Sequence, residues 1–112
     1  MSRSGIKEVD VLRALLGVWQ ETCVHPKRMA LRDFIRKDTP EIRYMDSFLC
    51  VVIIRERLLL QERSGRSFLY RWNDKAGPPT YLMAKRILLL TRQLCSDYSR
   101  AKYKRNKQQK ED

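Results

Sequence analysis

Residues 39–72 read TPEIRYMDSFLCVVIIRERLLLQERSGRSFLYRW, and two periodicities meet within them. Met45, Phe48, Leu49, Val52 and Ile53 recur at intervals of three and four, the spacing of one apolar helical face. Asp38 and Thr39 both suit an N-cap, Pro40 fits the first helical position, and Glu41 stands three residues after Asp38 in the manner of a capping box. Further on, Leu58–Gln61 and Phe68–Trp72 are short apolar runs on either side of Ser64-Gly65-Arg66, a glycine-containing turn. The stretch therefore predicts a helix running straight into a β-hairpin. One conflict lies inside it. Leu49–Ile54 holds enough β-branched residues to form a strand, and Cys50, Val51 and Ile54 fall on or near the outward side of the predicted helix. Either another element covers that side, or the helix ends early; a covered apolar side would favour protein association over DNA reading.

The flanking segments read as supports. Val9, Leu12, Leu15, Leu16 and Trp19 predict a first helix over about Ile6–Thr22 with Ser4 as its cap, and Trp19 reads as a core or interface anchor on the leucine face. Val24-His25-Pro26 breaks that helix. A second helix is predicted over Lys27–Lys37, with Met29, Leu31, Phe34 and Ile35 inward and Lys27, Arg28, Arg32, Arg36 and Lys37 forming a basic surface. After the turn-rich Asn73–Pro79, the spacing of Met83, Ile87, Leu90, Leu94, Tyr98 and Ala101 predicts a last helix of about 20 residues. Leu88-Leu89-Leu90 makes it apolar on more than one side. A homodimer through Ile87, Leu90, Leu94 and Tyr98 is expected, the alternative being a helix that covers the first and third within one chain. The chain thus divides into a domain over 1–78, a packing or dimerisation helix over 79–101, and a basic polar tail over 102–112 that lacks the apolar content to pack.

Composition narrows the function. A chain of 112 residues with 43% hydrophobic content suits one modest core, and a net charge of +11 favours a polyanionic partner: DNA, RNA or an anionic membrane surface. Cys23, Cys50 and Cys95 are odd in number and widely spaced, which fits buried thiols in a reducing cytoplasm and neither a disulfide framework nor a zinc site. No apolar run resembles a signal peptide or reaches the ~20 residues of a membrane span. The lone His25 has no partner for metal binding or for nucleophilic catalysis, and no glycine-rich phosphate loop is present. The expectation is a cytoplasmic non-enzyme with no metal, cofactor or small-molecule substrate.

The order of three helices, a short turn between the second and third, and a hairpin with Gly65 at its tip resembles the winged helix–turn–helix family over about Ile6–Trp72. Tyr70-Arg71-Trp72-Asn73 followed by Pro78-Pro79-Thr80 is similar to small winged-helix proteins of Bacteroides-type bacteria. The resemblance implies a mainly α fold with a β-hairpin, an α+β winged helix–turn–helix with an added long C-terminal helix. It implies that the third helix enters the major groove of double-stranded DNA and that the hairpin, as wing, lies on phosphate backbone or minor groove. The residues this singles out are Lys27, Arg28, Arg43, Tyr44 and Ser47 on the helices, and Arg63, Ser64 and Arg66 at the hairpin tip. Arg43, Tyr44 and Ser47 stand nearest the base edges. A small transcriptional regulator, or a replication or mobile-element accessory factor, is the expected role. The alternatives are a winged-helix protein-assembly module and a basic RNA-binding domain.

Overall fold

A computed structural model describes residues 6–38 and 45–111, with side chains for 6–36 and 45–102. In chain order the described elements are α1 (Glu8–Thr22), β1 (Lys27–Arg28), α2 (Leu31–Asp38), α3 (Asp46–Arg55), β2 (Leu59–Ser64), β3 (Ser67–Trp72), a 3-10 helix (Asp74–Ala76) and α4 (Tyr81–Glu111). The described part of the chain is a mixed α+β structure whose antiparallel sheet has the order β1-β3-β2.

α1 opens where the Asp10 carboxylate accepts a 2.9 Å hydrogen bond from the Lys7 backbone N–H, which satisfies one of the amides that a helix start leaves without a partner. The expected cap, Ser4, lies outside the described residues. The inward face of α1 is Val11, Ala14, Leu15 and Val18, turned from the expected stripe so that Val9 is exposed and Leu12 and Trp19 only lean on the core. The rotation follows from packing on several sides at once, since α1 touches α2, α4 and β3.

Lys27 and Arg28 form a strand instead of opening the second helix. They pair with Tyr70 and Leu69 along the edge of β3 that β2 leaves open. That gain comes from a partner about 40 positions away along the chain, so helical periodicity carried no trace of it. Asp38, expected to cap the third helix, is instead helical within α2, and the expected helix start over 39–44 lies outside the described residues.

α3 is helical through 49–54 and buries Asp46, Leu49, Val52 and Ile53. The chain then reverses at Arg57, whose φ of 59° is left-handed, as Leu58 N–H bonds to Ile53 O at 3.1 Å. Asn73 holds this corner: its N–H donates to Leu58 O at 2.9 Å and its Nδ2 to Arg57 O at 2.8 Å. The hairpin follows in register from Leu59↔Trp72 to Ser64↔Ser67. Only Gly65 and Arg66 remain in the loop, and the positive φ (62°) at Gly65 alone is the type II′ pattern that matches strand twist.

The core joins Leu15, Ile35, Leu49, Ile53, Leu59, Trp72 and Ile87, each contributing about 1.5–3 kcal/mol of transfer free energy when fully buried. α4 covers α1 and α3 and sinks Ala84, Ile87, Leu88 and Thr91. Its 31 residues run on over the stretch that composition assigned to a polar tail. Ile87 is 1% exposed and so offers no surface to a second chain, while Leu90 and Leu94 lean on the same core. Of the four residues expected to form a dimer contact, only Tyr98 is well exposed, and its ring meets Phe48 of α3 edge to face at 5.6 Å. Among the described residues no helix is long and apolar enough to cross a membrane.

Candidate nucleic-acid interface

Side chains alternate across a strand, and directly opposed residues share a face. The β2–β3 register therefore puts Leu59, Gln61 and Arg63 on the same face as Trp72, Tyr70 and Phe68, with Lys27 beside Tyr70. The inner end of this face is core, because Leu59 and Trp72 are buried. Its outer end is basic and aromatic, formed by Arg63 opposite Phe68. Arg63 Nε donates to Gly65 O at 3.3 Å, which draws the guanidinium toward the loop.

The middle of the same face meets α3. Tyr70 lines an open groove together with Arg32 and Asp33 of α2 and Ser47, Cys50 and Ile54 of α3. The start of α2 and Tyr70 of the sheet flank Cys50 and Ile54 in this groove, and both are half-buried against the core. Ser47 and Val51 point outward from α3. The outward side therefore differs in part from the expected one, since Cys50 and Ile54 face the groove while Val51 is exposed.

Asp46 is only 2% exposed. Its Oδ2 accepts a hydrogen bond from Arg32 Nε at 3.3 Å and forms an ion pair with Arg36 Nε at 2.7 Å, so two cations of α2 neutralise one carboxylate at the first turn of α3. Burial, and next the charge of Asp46, push the Cys50 thiol up to about 12. It is a neutral packing group at physiological pH, not a nucleophile. Burial is also the first cause raising Tyr70, followed by Cys50, so its phenol keeps its proton.

The residues singled out from sequence are spread by this geometry. Ser47 reaches the groove, and Lys27 and Arg63 stand on the sheet face that meets it. Lys27 Nζ is held by Glu21 at 2.7 Å, so part of its charge is compensated. Arg28, opposite Leu69, is on the other sheet face, which also carries Glu62. Ser64 and Arg66 sit at the tip, and Arg43 and Tyr44 lie outside the described residues. Sequence reasoning missed Gln61, Phe68 and Tyr70, although two-residue alternation from Trp72 back to Phe68 would have put the two aromatics on the core-side face. It counted Arg32 and Arg36 only as surface charge, since nothing local signals a buried carboxylate ten positions beyond Arg36. Among the described residues no group of three or more His, Cys, Asp or Glu is placed to hold a metal. Compared with protein-family models, with curated proteins and with solved structures, the chain matches none.

Proposed function

We propose that this chain is a winged helix–turn–helix protein that binds double-stranded DNA, as a small transcriptional regulator or as an accessory factor of replication or a mobile element. The carrying observation is the single surface made by the outward side of α3 and the core-side face of the hairpin, joined through Tyr70 and ending in Arg63 and Phe68. On this reading α3 enters the major groove and the hairpin, as wing, runs along the adjoining backbone or minor groove. The net charge of +11 supplies the long-range attraction. Among the described residues the outward side of α3 offers one hydroxyl, at Ser47, beside the apolar Val51. Phosphate contacts therefore dominate affinity, and Arg43 and Tyr44 remain the base-reading candidates. Titration of a random duplex pool at several salt concentrations, with single-stranded RNA as competitor, tests the reading. The expected result is a log–log slope of about −4 to −5 for roughly five neutralised phosphates, with weak competition by RNA. Salt-insensitive binding, or RNA that displaces duplex at equal concentration, overturns it.

A second copy of the chain is part of the proposal, on a different side of α4 from the one the sequence suggested. Leu82 and Leu89, seven residues apart, are 76% and 67% exposed. They lie in one shallow groove with Glu8, Lys85 and Arg92. A two-fold related copy buries both leucines in a coiled-coil-like seam and sets Glu8 against Lys85 or Arg92 of the other chain.

A further inference from the structure

We propose that Arg32, Asp46 and Arg36 form a preorganised clamp for a backbone phosphodiester of the bound nucleic acid, a site that goes beyond the wing and the base-reading helix and rests on the DNA-binding reading above. Three observations carry it. Arg32 and Arg36 are four residues apart on α2, so their side chains stand on one side of the helix, one turn from each other. Both engage Asp46 through Nε, Arg32 in a 3.3 Å hydrogen bond and Arg36 in a 2.7 Å ion pair, which holds the two guanidiniums on one carboxylate while leaving the nitrogens at their far ends without a partner among the described residues. The carboxylate is buried at 3% side-chain exposure, whereas the arginine side chains are 58% and 42% exposed. Two positive charges on one buried negative leave one in excess within the triad, and Arg32 carries it into the groove beside Ser47, where Asp33 also stands. A planar fork whose orientation is already fixed loses little entropy on binding the paired oxygens of a phosphodiester.

The alternative is a brace that only holds α2 on α3, and the sign of one substitution separates the two. Asp46→Asn removes a negative charge from a basic protein, so long-range electrostatics alone strengthens binding to a polyanion. The clamp requires the opposite. Loss of the carboxylate frees both guanidiniums, and affinity for a mixed-sequence duplex of about 20 base pairs falls roughly fivefold or more despite the higher net charge. Affinity that is unchanged or higher, with an unchanged circular-dichroism spectrum, overturns the clamp. Should Asp46→Asn fail to fold, the double variant Arg32→Lys/Arg36→Lys keeps the charge and removes the fork. It is expected to bind several-fold more weakly at nearly the same salt slope, and unaltered affinity overturns the clamp. Arg32→Ala gives the further readout that a brace does not move: its log–log salt slope is shallower by about 0.9, the value of one phosphate contact. In the same titrations Arg63→Ala reports on the wing. If Arg63→Ala weakens binding while the clamp variants do not, the clamp fails and the DNA-binding reading stands. If the unaltered protein binds no duplex at low salt, the DNA-binding reading itself fails.

Discussion

Trp72 Nε1 donates a 2.8 Å hydrogen bond to the carbonyl oxygen of Gly77, five residues further along the chain. The last residue of the hairpin is thereby tied to the segment that launches α4. Trp72 is among the largest fully buried side chains, so its N–H must find a partner inside the protein. Gly77 supplies it from a backbone at φ 73°, ψ 177°, a region open essentially only to glycine.

Gly77→Ala is therefore expected to destabilise the fold by about 1–3 kcal/mol through backbone strain alone, because a Cβ there meets no atom within 4 Å. Trp72→Phe is expected to cost a comparable ~1–3 kcal/mol, from the lost hydrogen bond and the volume left unfilled. Urea denaturation of both variants checks this. A Gly77→Ala midpoint equal to that of the unaltered chain would show that the turn relaxes into another conformation.

The hairpin tip makes separate predictions for charge and for shape. Arg63→Ala and Arg66→Ala are each expected to weaken binding to every duplex alike and to make the log–log salt slope shallower by about 0.9. Phe68→Ala carries no charge change, so it leaves that slope untouched while reducing affinity, through loss of an apolar contact with the groove wall. Titrations at three salt concentrations distinguish the two behaviours. A slope change in Phe68→Ala, or none in the arginine variants, removes the hairpin from the interface.

Cys50 predicts an alkaline loss of stability. Its thiol stands at about 12 in the folded chain against 9.0 for the free group, burial being the main cause. Below pH 9 the folded and unfolded states both hold the proton, so the group contributes no pH dependence. Between about pH 9 and 12 the unfolded state releases it and the folded state keeps it, and stability falls as pH rises. Cys50→Ala is expected to flatten the pH dependence of the denaturation midpoint across that window relative to the unaltered chain. At pH 8, Cys50 should also react more slowly with iodoacetamide in the native protein than in urea. Equal rates would show that the groove does not shield it.

Periodicity made the helices and the hairpin readable, because each of those choices is local. Leu59–Ser64 and Ser67–Trp72 flank a glycine whose positive φ the turn demands, and the spacing of Leu49, Val52 and Ile53 outweighed the β-branched character of Val52 and Ile53 once α4 and the sheet buried them. What the sequence hid depends on distant partners. β1 exists because β3 has a free edge, Asp46 is inward because two arginines of α2 reach it, and Ile87 is core because α1 and α3 both receive α4. Of the candidate site, the hairpin arginines were legible by their place in a turn. The face of Tyr70 follows from alternation with Trp72, but its place beside Ser47 does not, since that depends on how the sheet packs on α3.

The two sides of α4 have separate roles. Ile87, Leu90 and Leu94 serve the chain's own core, so substituting them should unfold the domain before it reports on association. Leu82 and Leu89 carry the test instead, because each is mostly exposed and removing either leaves the monomer's packing intact. At tens of micromolar, light scattering is expected to give twice the mass of one chain for the unaltered protein and the mass of one chain for Leu89→Lys, with the same thermal midpoint extrapolated to low concentration. The charged side chain cannot be buried in a two-fold seam without a partner, and it meets its own image there. Glu8→Lys should act in the same direction by setting like charges against Lys85 and Arg92 of the second copy. If Leu89→Lys and Glu8→Lys both still dimerise, the seam lies elsewhere on the molecule, and an unaltered chain that stays monomeric at that concentration removes the dimer from the proposal.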